Sequence, residues 1–147
     1  MFLTQRPPEK ILPVLQKHGL KEDSILACIE ADMTLDCEFC LSYLLLCTDE
    51  LVLVTFPADG TTKTFAGYPR DIGEPDLQNP IIHRLPLESC TKADLHPLIS
   101  GGIFFAEVNS VETELAAFTN ARMQDMRRFI GLFDKVKKGE ALCEEDF

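Results

Sequence analysis

The sequence lacks an apolar segment long enough to cross a membrane. Its longest apolar stretches, residues 41–47 and 51–56, are separated by the polar residues 48–50, whereas a transmembrane helix needs about 20 apolar residues. The first eight residues also lack the apolar core of a secretory signal. These two absences predict a soluble chain.

Basic residues are scarce as well. The 147 residues include 14 Lys and Arg against 24 Asp and Glu, which gives a net charge of −10 at pH 7. An anionic chain is repelled by phosphate backbones and by anionic lipid surfaces. We therefore expect neither nucleic acid nor lipid headgroups as partners.

The pattern of a complete zinc site is missing too, although the chain has six cysteines. Cys37 and Cys40 have the spacing of half a site, but a structural zinc site needs four ligands. Cys28 and Cys47 could complete the set only if neighbouring strands brought them close. We expect buried core cysteines and no cofactor.

A nucleophilic Cys–His pair is a second chemical alternative. It would combine Cys90 with His83 or His96, but no motif orients a third group beside them. A small cysteine- and histidine-dependent metal protein or enzyme therefore stays an alternative to a non-enzymatic role.

Hydrophobic alternation predicts seven strands without a helical crossover, at residues 24–32, 39–47, 51–56, 61–66, 81–87, 90–98 and 103–108. Connections as short as residues 48–50 permit only antiparallel pairing. The Pro- and Gly-containing segment 67–80 is predicted to be a loop, and long loops often carry function.

Helical patterns are predicted at the two ends of the chain. Residues 8–19 predict a short helix within an N-terminal extension, residues 1–20, with Gly19 at its end. Residues 109–138 predict one long helix that Asn109 caps, with Arg122 as the only break in its apolar stripe. Residues 139–147 are read as an acidic tail or linker.

A curled sheet of seven strands has an open end, and the apolar side chains of Leu115 and Phe118 on the predicted helix could plug it. A seven-stranded antiparallel roll or barrel with a long C-terminal helix resembles the pleckstrin-homology architecture. The predicted fold is therefore mainly β with α, and the domain spans residues 24–138.

Individual motifs carry the same resemblance. The hairpin at residues 43–54, YLLLCTDELVLV, resembles a segment of bacterial pleckstrin-homology-like domains, and residues 84–90 are similar to their fifth strand. Residues 118–120, the stretch 127–140 and the acidic residues 144–146 are similar to the cytoplasmic N-terminal region of certain bacterial ABC exporters.

This resemblance implies a non-enzymatic interaction or regulatory domain of an ABC-type transporter, on the cytoplasmic side of the membrane and with a protein as its partner. The sequence contains no G-x-x-x-x-G-K-[ST] phosphate loop, so no ATP site is assigned to it. Residues 32–38 contain no basic side chain, so the lipid binding of phosphoinositide-binding relatives is not expected here.

Two surfaces are candidates for contact with a partner. The hairpin is apolar on both faces, and Tyr43, Leu45, Val52 and Val54 form one of them. Either the N-terminal helix covers this face or a partner does, and a second copy of the chain is one such partner. A free-standing self-associating domain is therefore a further alternative to the transporter role. The second surface is the basic part of the C-terminal helix, with the side chains of Arg127, Arg128 and Lys135.

Overall fold

The chain folds into an antiparallel sheet with one α-helix on each side. The computed structural model describes residues 2–33, 35, 39–57, 63–65, 68–71 and 75–147; for residues 39, 63–65 and 68–71 it describes the backbone only. Among these residues, no helix combines the length and the apolar character that a membrane span requires.

In the described part of the chain, one α-helix lies near each end and most of the strands lie between the two. The helices are α1 (Leu12–Lys17) and α2 (Met123–Lys137). The strands are β1 (Leu3–Thr4), β2 (Ile25–Met33), β3 (Phe39–Cys47), β4 (Glu50–Phe56), β5 (Lys63–Phe65), β6 (Tyr68–Asp71), β7 (Ile81–Pro86), β8 (Cys90–Leu98), β9 (Gly101–Val108) and β10 (Val111–Thr119).

Two antiparallel meanders form the main sheet. Its strand order is β7-β4-β3-β2-β10-β9-β8, so one meander runs from β2 to β7 and the other from β8 to β10. They meet where Met33 on β2 lies opposite Ala117 on β10. β1 pairs with β2, while β5 and β6 pair in a separate hairpin. The predicted antiparallel sheet with a C-terminal helix is confirmed at this level.

The hydrophobic core has two parts, one on each face of the sheet. The inner cluster joins the sheet to α2 and includes Leu44, Phe104 and Phe129, all fully buried. The rings of Phe104 and Phe129 meet edge to face with centroids 5.8 Å apart. The outer cluster joins β2, β3 and β4 to α1, through Val14 and Leu15 and through Ile11 just before the helix. Both helices are therefore held by apolar burial.

The predicted helix over residues 109–138 is wrong in its first half. Asn109 and Ser110 have positive φ angles of 52° and 67°, which is the geometry of a tight hairpin turn. This turn sends β10 back along β9, and pairing with β9 then fixes an extended backbone from Val111 to Thr119. The helix itself has 15 residues, a length of about 22 Å at 1.5 Å per residue.

Leu115 and Phe118 are therefore strand residues and do not plug the sheet from a helix. Both are buried in the inner cluster, with Phe118 fully buried. Phe118 lies opposite Gly102 on β9, and a Cβ atom at Gly102 would come within 2.8 Å of the Phe118 ring. Glycine at this position leaves the space that the aromatic ring occupies.

Two further predictions differ from the structure in strand membership. Of the strand predicted at residues 61–66, the structure describes only residues 63–65, which form β5 in the small hairpin and not in the main sheet. β10 takes its place in the path of seven strands. The segment 67–80, predicted as a loop, contains β6. β1 was not predicted, because a strand of two residues shows no detectable alternation.

Candidate interaction surfaces

The outer face of the β3–β4 hairpin is covered by α1. Tyr43, Leu45, Val52 and Val54 are at most 4% exposed, and they pack in the outer cluster with α1. Of the two alternatives, cover by the N-terminal helix is confirmed. The prediction that these four residues meet a partner does not fit this structure, because the chain's own helix already buries their apolar surface.

Two thiols lie in the same outer cluster. Burial raises the pKa of Cys28 and of Cys47 to about 12, from an ordinary value of 9.0. A thiol that stays protonated is a poor nucleophile at neutral pH. These side chains act as small apolar groups between β2, β3 and α1.

The cysteines do not gather into one zinc site. Cys37 lies outside the described residues. Cys40 stands at the other end of β3 from Cys47, a separation of about 24 Å at 3.4 Å per residue. Among the described residues, no group of three or more His, Cys, Asp or Glu side chains is placed to hold a metal ion. The four-thiolate set considered from the sequence is therefore not assembled.

Cys90 is also separated from the histidine on its own strand. Its thiol is fully buried in the inner cluster, and burial raises its pKa. His96 is on β8 as well, six residues away or about 20 Å, and its ring stacks on Phe105 with centroids 4.2 Å apart. His83 is an exposed residue of β7. The structure thus buries the proposed nucleophile and separates it from His96.

The basic surface of α2 is partly occupied by the chain that follows it. Lys135 Nζ lies 2.6 Å from Asp146 Oδ1, and Arg128 Nη2 lies 3.4 Å from the Asp146 carbonyl oxygen. The hydrogen bond from Lys135 lowers the pKa of the Asp146 carboxyl to about 2. Leu142 and Phe147 pack against the inner cluster. Residues 139–147 are therefore not a free linker, and we call residues 142–147 the folded tail.

Arg127 differs from the other two predicted basic residues because its side chain is exposed. Arg128 also approaches Asp125, with Nη1 3.6 Å from Oδ1. Asp125 in turn accepts hydrogen bonds from the backbone N–H groups of Phe2 and Leu3, at 2.7 and 3.1 Å. The first turn of α2 thus holds the N-terminal strand in place.

Sequence reasoning missed an ionic cluster at the junction of β2, β10 and α2. Arg122 Nη1 lies 2.8 Å from Asp32 Oδ2, and Nη2 lies 3.5 Å from Glu30 Oε1. Asp32 also accepts hydrogen bonds from the N–H and hydroxyl of Thr119. The guanidinium lies over the Phe2 ring, 3.9 Å from its centroid. The break that Arg122 makes in the apolar stripe was the available signal.

A groove of about 560 Å³ lies between the N-terminal segment, the start of β2 and the residues after α2. Its walls carry both signs of charge, with the guanidinium of Arg6 and the carboxylates of Glu22, Asp23 and Glu140. Arg6 and Glu22 already approach each other at 3.5 Å. This mixture favours no single class of charged ligand.

Apolar side chains are exposed at the ends of the main sheet. Ile99 is fully exposed and Leu98 is 38% exposed at the turn between β8 and β9, while Val111 is 64% exposed at the turn between β9 and β10. Ile81, at the start of the edge strand β7, is 63% exposed.

Comparison of the chain with family models, with curated proteins and with solved structures finds no match.

Proposed function

We propose that this chain is a pleckstrin-homology-like interaction domain of a bacterial ABC-type exporter, and that it binds protein on the cytoplasmic side of the membrane. The observation that carries the proposal is the strand path β7-β4-β3-β2-β10-β9-β8 with α2 packed on its inner face. Seven antiparallel strands and a C-terminal helix are the parts that the sequence resemblance implies.

The distribution of charge supports a protein partner. The net charge of −10 opposes binding to phosphate-rich or anionic lipid surfaces.

Three of the six thiols are fully or almost fully buried, at Cys28, Cys47 and Cys90, and the pKa of each is raised. A structural use of these thiols agrees with a domain that binds and does not catalyse.

Arg127 is the predicted contact residue that the proposal retains on α2. Its side chain is exposed, whereas Arg128 and Lys135 contact Asp146 and the outer hairpin face lies under α1. A partner that docks beside α2 could therefore contact the charge of Arg127, which the chain's own tail does not cover.

The genomic context provides the first test. We expect the reading frame after codon 147, or a neighbouring gene, to encode apolar segments of about 20 residues and a G-x-x-x-x-G-K-[ST] phosphate loop. A locus without either feature contradicts the transporter assignment.

A binding measurement tests the contact itself. The chain is titrated into the detergent-solubilised transporter, and we expect the Arg127→Glu variant to bind more weakly than the unmodified chain. Lys10→Glu is the matched control, because it makes the same charge change on an exposed residue near α1. Equal weakening by both substitutions would mean that net charge alone matters and would overturn the role of Arg127.

A further inference from the structure

The edge strand β8 has a free side and a self-complementary charge pattern. Among the described residues, β8 pairs only with β9. Ala93 and Leu95 are buried toward the inner cluster, while Lys92 and His96 are exposed on the opposite face and Asp94 is half-buried there. The backbone groups on the free side of such a strand can pair with another strand, although the Leu95 N–H already donates to Asp94 Oδ1 at 2.8 Å.

We infer that β8 pairs with β8 of a second copy of this chain, antiparallel and centred on Ala93, so that the two sheets join into one. In this arrangement Lys92 of each copy lies opposite Asp94 of the other. The two contacts are related by a twofold axis, as in most homodimers. This inference goes beyond the proposed function and does not depend on the transporter.

The alternation of side chains limits the registers that two copies can use. Directly opposite residues in an antiparallel pair lie on the same face of the sheet. The apolar inner face therefore continues across the junction only if odd-numbered residues pair with odd-numbered residues and even-numbered residues with even-numbered ones. A symmetric pair must therefore be centred on a residue and not between two residues. This leaves Lys92, Ala93, Asp94 and Leu95 as centres in the middle of β8.

Charge and proline distinguish these four centres. A centre at Lys92 places lysine against lysine, and a centre at Asp94 places aspartate against aspartate, both of which are destabilising. A centre at Leu95 places Pro97 opposite Ala93. A proline in an edge strand has its nitrogen on the free side and donates no hydrogen bond there, so this register loses backbone bonds.

The centre at Ala93 avoids all three penalties. It gives two Lys92–Asp94 contacts, and Pro97 falls opposite Ser89, beyond the start of β8. A register shift between Cys90 and Lys92 in the β8–β9 pairing leaves residues 92–94 as the regular centre of the junction.

Two single charge reversals and their mixture test the inference. In Lys92→Asp, aspartate faces aspartate at both contacts, and in Asp94→Lys, lysine faces lysine. We expect each variant alone to dimerise about tenfold more weakly than the unmodified chain, because opposite-charge cross-strand pairs become like-charge pairs. An equimolar mixture of the two variants restores opposite charges at both contacts, so we expect it to dimerise again.

Sedimentation equilibrium over a concentration series measures these dimer constants, and urea unfolding checks that each variant is folded. Lys10→Asp is the matched control for Lys92→Asp, since it makes the same change in net charge on an exposed residue outside β8. An unmodified chain that stays monomeric at every concentration overturns the inference. So does a mixture that dimerises no better than the separate variants.

Discussion

Arg122 and Asp32 form an ion pair of 2.8 Å between side chains 90 residues apart in the sequence. Each side chain is 14% exposed. The pair fastens the start of α2 to the end of β2, at the place where the two meanders meet through Met33 and Ala117. The junction between the two halves of the sheet is thus held by charge as well as by backbone pairing.

Replacing Arg122 should destabilise this junction. In Arg122→Ala, the carboxylates of Asp32 and Glu30 stay partly buried without their cation, and hydrogen bonds between charged groups are worth about 1.5–3 kcal/mol. We expect the free energy of unfolding in urea to fall by about 2 kcal/mol. Arg127→Ala, on the exposed face of α2, is the control and should change it by less than about 0.5 kcal/mol. Equal effects of the two substitutions would refute a special role for the ion pair.

Two glycine substitutions should have opposite effects. Gly131 lies in the interior of α2, and a Cβ atom there would meet nothing within 4 Å. Gly131→Ala should therefore stabilise the protein by about 0.5–1 kcal/mol. Gly102→Ala should destabilise it by about 1–3 kcal/mol, since its Cβ would collide with the Phe118 ring. Thermal or urea unfolding measures both, and a stabilising Gly102→Ala would contradict the packing described here.

The buried thiols should make stability fall in alkaline solution. Below about pH 9 the thiols of Cys28 and Cys47 are neutral in both states. Between pH 9 and 12 the unfolded chain loses these protons, whereas the folded chain keeps them because the pKa values are raised to about 12. Unfolding free energy should therefore decrease with rising pH. In Cys28→Val this slope should be smaller, and an unchanged slope would contradict the prediction.

Alkylation should separate the thiols by exposure. At pH 8 in native solution, iodoacetamide should modify the exposed Cys143 rapidly. The buried Cys28, Cys47 and Cys90 should react only after unfolding, because the thiolate is the reactive species. Peptide mass spectrometry over a time course measures each site. Rapid labelling of Cys47 in folded protein is the result that would count against the packing under α1.

The folded tail should loosen when Asp146 loses its charge. In Asp146→Asn, we expect faster amide hydrogen exchange at residues 142–147, because the charged contact with Lys135 is lost. Glu145→Gln, at an exposed neighbouring residue, should leave exchange unchanged. In the unmodified chain, the Asp146 carboxylate stabilises the folded tail above about pH 4. This stabilisation is lost as the pH falls toward 2, since the pKa of Asp146 in the folded chain is lowered to about 2. Protection factors, which are the exchange rates corrected for the intrinsic pH dependence of amide exchange, would refute the contact if they did not change in this pH window.

The sequence by itself determined the local parts of this protein. Alternating apolar residues predicted β3 and β8 without error, and β2, β4, β7 and β9 with errors of one or two residues at their ends. The short connection after Cys47 required the β3–β4 hairpin. The apolar stripe from Met126 to Val136 predicted α2. These signals depend on periodicity within one segment. Pairing with distant strands then stabilises the conformation that the periodicity favours.

The tertiary structure decided what periodicity could not. Residues 111–119 carry apolar positions that fit a helix, but the positive φ angles at Asn109 and Ser110 and the pairing with β9 make them a strand. The same holds for the two candidate surfaces. Only the packing of α1 shows that Tyr43 and Val54 are covered. Only the path of the chain after α2 shows that Lys135 contacts Asp146. Contacts between distant segments depend on the whole fold, since burial and charge pairing are properties of proximity in space.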